Sequence, residues 1–256
     1  MKISIIMAYF NRKKLLINTL NTIEMTQHDD YEIIIVDDCS NEENRVEDLM
    51  LKYKNLKVIR LELKDKWYIN PCIPFNIGIN NSIGDYIILQ NPECLHVGDV
   101  LTYVKNNLTN NNYISFSCYS LDSDNTDLIN NIPLDSESII KNITFNNRSV
   151  ISDGDLGWYN HPTYRPVALH FTNAITKENL NKIGNFDESY AMGIGYDDND
   201  LLNNIINYGL NVEYSTTPFV IHQNHYNISN NYNKPNGEHL LNINRTLFLN
   251  KINKIK

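Results

Sequence analysis

Apolar residues in the N-terminal third of this chain fall in short continuous runs, and each run ends on polar residues. Residues 2–9 (KISIIMAY), 31–36 (YEIIIV), 56–61 (LKVIRL) and 85–89 (DYIIL) are such runs. Stretches of this length, rich in isoleucine and apolar on both faces, predict strands covered on both sides, as in a parallel sheet. Between them, residues 12–25, 42–53 and 74–82 carry apolar positions at helical spacing. Strand and helix alternating in this way predict βαβ units and an α/β fold.

The polar residues that close the runs are the first candidates for chemistry. Asn11 follows the first strand, Asp37 and Asp38 the second, and Asn91-Pro92-Glu93 the fourth. Ligands of open α/β sheets sit beyond the carboxyl ends of the strands, where all these residues fall. Further on, residues 120–155 are rich in Asn, Ser and Asp with little periodicity, and read as a variable insertion or loops over the site. Beyond them the pattern predicts a strand at 168–176, a helix at 177–183 stopped by Gly184, and a helix at 198–208 stopped by Gly209. Strands at 212–215 and 219–222, a polar linker at 227–236 and a final helix at 237–251 complete the chain. That last helix is expected to pack back through Leu240, Leu241, Leu247 and Phe248.

Composition narrows the classes. A chain of 256 residues suits one large domain. Its net charge of −8 argues against a nucleic-acid partner, which needs a basic face. No apolar run approaches the roughly 18 residues of a membrane helix, and the first residues read as a strand rather than a signal peptide. Cys39, Cys72, Cys94 and Cys118 lie far apart with no Cys-x-x-Cys pair. This spacing disfavours structural zinc and a disulfide framework, and predicts a reducing, cytoplasmic setting. There is no Gly-x-Gly-x-x-Gly after the first strand and no Walker motif, so neither dinucleotide nor P-loop chemistry fits.

The densest chemistry lies at 183–205, where Asp197, Asp198 and Asp200 crowd the start of a helix just after Gly193 and Gly195. Such acids can be ordinary first-turn residues of a helix. They equally suit a site that needs negative charge, for a metal or for a hydroxyl to be deprotonated.

Four segments in order, SIIMAYFNR, EIIIVDDCS, NIGINNSIGDYIILQNPE and GNFDE…GIGYDDNDL, together resemble a family 2-type glycosyltransferase of the GT-A fold. The last segment resembles the C-terminal part of β-1,4-galactosyltransferases and polypeptide N-acetylgalactosaminyltransferases. The resemblance implies a single Rossmann-like, mostly parallel sheet flanked by helices, with a variable acceptor-side insertion. It implies one glycosyltransferase domain over 1–256. Residues 1–95 form its nucleotide-sugar half, 96–226 its acceptor and catalytic half, and 227–256 a linker and helix.

It also implies roles. Asp38, with Asp37 beside it, matches the acid that binds uracil or ribose. Ala8 and Asn11 match the loop that shapes the nucleoside pocket, and Asn76 belongs to the same nucleotide-sugar group. Asn91-Pro92-Glu93 falls where the family carries Asp-x-Asp, whose acid binds a divalent cation, Mn²⁺ or Mg²⁺; Asn91 replaces the first acid and Glu93 remains. Phe75 stands where relatives carry an Arg. His222, with His225 as a second choice, matches a histidine that related enzymes supply to the metal. Asp198 matches the base that deprotonates the acceptor, and Asp197 the acid that hydrogen-bonds acceptor hydroxyls. Trp158 and Tyr159 are aromatic platforms for a sugar, or a core cluster. The implied activity is an inverting, metal-dependent transfer from a nucleotide-sugar, a UDP-sugar first, to a saccharide or glycoconjugate. The departures at Asn91 and Phe75 leave a second class open, a binding module of the same fold without turnover. A nucleotidyltransferase fits less well, since the basic Gly-rich loop it needs near the first strand is missing.

Overall fold

The first strand, β1 (Ile3–Tyr9), is buried on both faces, apolar but for Ser4, and takes the centre of the parallel half of the sheet. The chain leaves it through α1 (Lys13–Ile23), whose Leu16, Leu20 and Ile23 repeat at three- and four-residue spacing and bury against the sheet. It returns as β2 (Tyr31–Asp37) and then β3 (Leu56–Arg60), crosses the other face as α2 (Cys72–Asn81), and re-enters as β4 (Tyr86–Gln90). The parallel pairs β3–β2, β2–β1 and β1–β4 put the carboxyl ends of these strands on one rim.

The second half is mixed. After β4 come β5 (Cys94–Val97), α3 (Val100–Asn107), β6 (Asn112–Ser120), α4 (Ser123–Ile129) and α5 (Ser136–Asn142). They are followed by β7 (Gly157–Asn160), β8 (Thr172–Thr176), α6 (Lys177–Ile183), α7 (Asp197–Asn207), β9 (Asn211–His222) and α8 (Gly237–Lys254). The strand order is β3-β2-β1-β4-β8-β6-β9-β5, with β7 added on β6. β8 runs antiparallel to both β4 and β6, and β5 antiparallel to β9, while β6 and β9 are parallel. One apolar layer holds α1 and α3 on one face, and a second holds α2, α6 and α7 on the other. This computed structural model describes residues 1–225 and 236–254.

The α/β alternation expected for the first ninety residues is present, with one local difference. Residues 42–53 form two 3-10 turns, Glu42–Asn44 and Glu47–Leu51, not an α-helix. The buried Val46 and Leu49 are three residues apart, which is the period of a 3-10 turn. Asn41 caps the first turn by accepting the Asn44 N–H, and the chain then extends at Arg45.

Differences are larger beyond residue 93. β5, α3 and β6 have no counterpart in the sequence pattern, and the strands expected at 212–215 and 219–222 are one strand, β9, irregular opposite residues 116–118 of β6. Residues 120–155 are more ordered than expected: α4 and α5 are capped by Asp122 and Asp135. Leu121, Ile129, Ile139 and Ile143 form a small core of their own with Leu95, Tyr119 and Ile221. The linker expected at 227–236 lies outside the described residues except for Asn236. α8 packs on α7 and the loop before it: Asn244 is fully buried, and the ring centroids of Tyr196 and Phe248 are 5.7 Å apart.

Candidate active site

Glu93 sits in the turn between β4 and β5. Because β5 pairs antiparallel with β9, Cys94 lies opposite His222, and the last residue of β9 is delivered beside the turn. Gln223 fixes this junction. Its backbone N–H and its Nε2 both donate to the Glu93 carbonyl, and Nε2 also reaches the Leu15 carbonyl at 3.0 Å. Asn224 is held to Thr126 of α4 and to the Gly154 carbonyl, so the insertion helps to place His225. Both imidazoles then meet one carboxylate oxygen: His222 Nε2 and His225 Nε2 are each 3.1 Å from Glu93 Oε1.

The second oxygen of Glu93 takes Arg12 Nη1 at 2.7 Å. Burial alone would raise the Glu93 carboxyl, but the Arg12 guanidinium and the two imidazoles hold it well below the usual carboxylate range. Burial pushes His225 below the ordinary imidazole value, with Glu93 opposing, and this favours the neutral form that ligates a metal. The ligand atoms of Glu93, His222 and His225 lie within 4.8 Å of one another. One carboxylate and two imidazoles fit Mn²⁺, which accepts both donor types. Asn91 lines the same cavity as this cluster.

The acid pair reaches the same cleft from the start of α7. Tyr196 takes a left-handed conformation (φ 64°) just before α7, which turns Asp197 and Asp198 into the first helical positions. The loop that carries them is braced by α8. Asn244 Nδ2 donates to the carbonyls of Tyr190 and Gly195, and Ile194 N–H donates to Leu240. Gly193 is required there, since a Cβ would come within 2.3 Å of the Asn244 side chain. Asp197 is buried, accepts from Asn70 Nδ2 at 3.0 Å, and its Oδ2 finds no hydrogen-bond partner among the described residues. Burial and then the neighbouring Asp198 charge push its pKa up to about 6, with His170 opposing. Asp198 is half-buried and accepts from the Asn199 N–H. Asp200 points away from the cavity and is paired with Lys251 of α8 and with Tyr190.

A single cleft of about 490 Å³ gathers these groups. Of the residues expected from sequence, Ala8, Asn91, Glu93, Tyr159, Asp197, Asp198, His222 and His225 line it. The others lie elsewhere. Asp37 is fully buried, with Oδ2 on Arg60 and Oδ1 on the Ser40 N–H. Asp38 is held by Lys66 and by the Tyr68 hydroxyl at 2.7 Å. Asn76 is used up in pinning α2 to Phe186 and Glu188. Asn11 joins the loops after β1 and β2 through Ser40 and Asn41, and lines a neighbouring cavity. Trp158 packs among Tyr119, Phe145 and Tyr164, outside the cleft wall, and donates to the Asn146 carbonyl. Tyr159, one residue on, stacks on Phe171 and meets His222 edge-on.

Two cleft residues, Arg12 and Arg165, have no site role in the sequence reading, and a third, His170, lines the cleft as a packing residue. Arg12 was read only as the start of a helix. Arg165 donates to the Tyr159 carbonyl, and His170 packs on Phe75 and Phe186. No spacing in the sequence links them to the acids; Arg12 meets Glu93 across 81 residues.

The sequence profile of "Glycosyl transferase family 2" matches residues 4–165. Among curated proteins, the poly(ribitol-phosphate) β-N-acetylglucosaminyltransferase TarP of Staphylococcus aureus is 32% identical over 112 residues. That match covers 41% of this chain and 34% of TarP. Two solved structures share the fold over most of this chain. S. aureus TarS 1–349 in complex with UDP has a TM-score of 0.55 at 16% identity, covering 86% of this chain and 60% of that one. The Pyrobaculum calidifontis mannosyltransferase with GDP-mannose and Mn²⁺ has a TM-score of 0.53 at 12% identity, covering 87% and 56%. The chain thus spans about a third of the length of TarP. Its architecture is a GT-A-like α/β fold, and the chain belongs to glycosyl transferase family 2.

Proposed function

We propose that this protein transfers a sugar from a nucleotide-sugar, in the first instance a UDP-sugar, to a saccharide or glycoconjugate hydroxyl, with inversion and with a divalent cation. The observation that supports it is the convergence of two groups far apart in sequence on one cleft. Glu93, His222 and His225 come from the β4–β5 turn, the end of β9 and the residues just beyond it, and Asp197 and Asp198 from the start of α7; all line the cleft. The relatives agree with a nucleotide-sugar donor: TarP is an N-acetylglucosaminyltransferase, and TarS was solved with UDP.

In this reading Glu93, His222 and His225 hold Mn²⁺ or Mg²⁺, which when bound offsets charge on the departing diphosphate. Asp198 takes the proton from the acceptor hydroxyl as its oxygen bonds to the anomeric carbon, and the bond from that carbon to the diphosphate breaks on the opposite side. Asp197 accepts a hydrogen bond from the acceptor through Oδ2, the atom left without a partner. The roles of this pair rest on the likeness of 183–205 to the galactosyltransferase and N-acetylgalactosaminyltransferase segment, which lies beyond the matched profile. Tyr159 and Arg165 border the acceptor side, and Asp37, Asp38 and Asn76 keep the nucleotide half in shape.

The test is UDP or GDP release with Mn²⁺, using UDP-N-acetylglucosamine, UDP-glucose, UDP-galactose and GDP-mannose as donors. Turnover on one UDP-sugar is expected, abolished by chelation. Asp198→Asn should reduce it by several powers of ten, about 4–7 kcal/mol of barrier. Unchanged turnover in that variant would remove Asp198 as the base. Mn²⁺-dependent UDP binding with no turnover on any donor would favour a binding module.

A further inference from the structure

Arg12 stands between the first strand and the cation cluster. Its backbone N–H is held by the Tyr9 hydroxyl at 3.1 Å, so the side chain starts from a fixed point, and its Nη1 crosses to Glu93 Oε2 at 2.7 Å. Glu93 is almost completely buried and the Arg12 side chain only 19% exposed, which makes this a low-dielectric ion pair rather than a surface one. The Nε of Arg12 is buried with no hydrogen-bond partner among the described residues. A buried donor in that condition suits an anion with several oxygens, and the guanidinium fork matches phosphate. The same side chain lines the cleft that holds the acid pair.

We propose that Arg12 sets the divalent-cation affinity of the Glu93–His222–His225 cluster by competing for the Glu93 carboxylate, and that it passes its guanidinium to the diphosphate of the donor when a cation takes that carboxylate. The inference rests on the cation site described above. A cation on Glu93 and a guanidinium on the same carboxylate repel each other strongly in a buried setting, so each weakens the other. A diphosphate resolves the conflict by giving Arg12 a second anionic partner. Cation and nucleotide then bind cooperatively, each more tightly when the other is present.

The experiment is calorimetric titration of the full chain with Mn²⁺ alone, and with UDP at saturating Mn²⁺. Arg12→Gln is expected to bind Mn²⁺ alone about tenfold more tightly than the natural protein, and UDP about tenfold more weakly. Arg12→Lys keeps a charge without the fork and should fall between the two in Mn²⁺ affinity. It also serves where Arg12→Gln does not fold, because a Lys variant no tighter than the natural protein overturns the proposal. Equal or weaker Mn²⁺ binding by Arg12→Gln, or unchanged UDP binding, overturns it too. Glu93→Gln separates the two ideas. If Mn²⁺ binds the natural protein and is lost in Glu93→Gln, the cation site stands whatever Arg12 does. If the natural protein binds no Mn²⁺, the site and this proposal fall together.

Discussion

Two pairs of adjacent aspartates end up in opposite situations. Asp37 and Asp38 follow β2, and each is matched by a cation of the chain, Arg60 and Lys66. Asp197 and Asp198 open α7, and neither makes an ion pair among the described residues; Asp197 is held by an amide donor and by the positive end of its helix. The first pair is neutralised and structural. The second is left charged inside a cleft, which costs stability and leaves oxygens available to a ligand. Adjacent acids in a sequence therefore say little until their partners are known.

The largest effect expected from breaking this contrast is at the first pair. Asp37→Asn takes the charged partner from Arg60, which keeps the Ser40 carbonyl and Glu47 at 3.9 Å, and it also relieves the burial that raises the Asp37 carboxyl. The net loss of stability should be about 2–4 kcal/mol, measured by denaturant unfolding. A loss below about 1 kcal/mol would show that Asp37 does not need its cation.

Asp197→Asn should move stability the other way. The carboxyl of Asp197 is raised to about 6 by burial and the Asp198 charge, against an ordinary value near 4. A carboxyl whose folded value is raised opposes folding once it is ionised. The opposition is complete above about pH 6 and fades below about pH 4, where both states are protonated. The variant is thus expected to be more stable at pH 7–8 by about 1–3 kcal/mol, with the gain vanishing near pH 4. On the role proposed for Asp197, the natural protein's kcat/KM should fall as pH drops through about 6, because a protonated carboxyl is a poor hydrogen-bond acceptor. An acid limb that survives in Asp197→Asn would assign it to another group.

A smaller effect tests how the second pair is held. Gly193→Ala puts a methyl against Asn244 and should cost about 1–3 kcal/mol by overpacking. Because that glycine leads into Asp197, kcat should fall more than the donor KM rises. Equal changes in both would mean that the brace from α8 is not specific to the acid pair.

Much of the nucleotide half was legible in the sequence. β1, β2 and β4 are buried on both faces, so their residues form continuous apolar runs that no other element of that length resembles. The helix stops at Gly184 and Gly209 were legible because both glycines take the left-handed conformation that ends helices. β6 was not. Its nine residues include three buried serines and an asparagine, so its burial comes from lying inside the sheet and not from its own hydrophobicity. Residues 120–155 look polar because their helices expose most positions and bury a few, a pattern too sparse to stand out.

The sequence by itself determined the alternating strands and helices, the acids at strand ends and the acid-rich start of α7, because these follow from local periodicity and chain order. Which acids face a ligand was decided only by tertiary structure. Arg60, Lys66 and Arg12 reach Asp37, Asp38 and Glu93 from 23, 28 and 81 residues away. The pairing of β5 with β9 alone brings His222 to Glu93. A carboxylate's charge is balanced by whatever folds against it, and neighbours along the chain do not specify that.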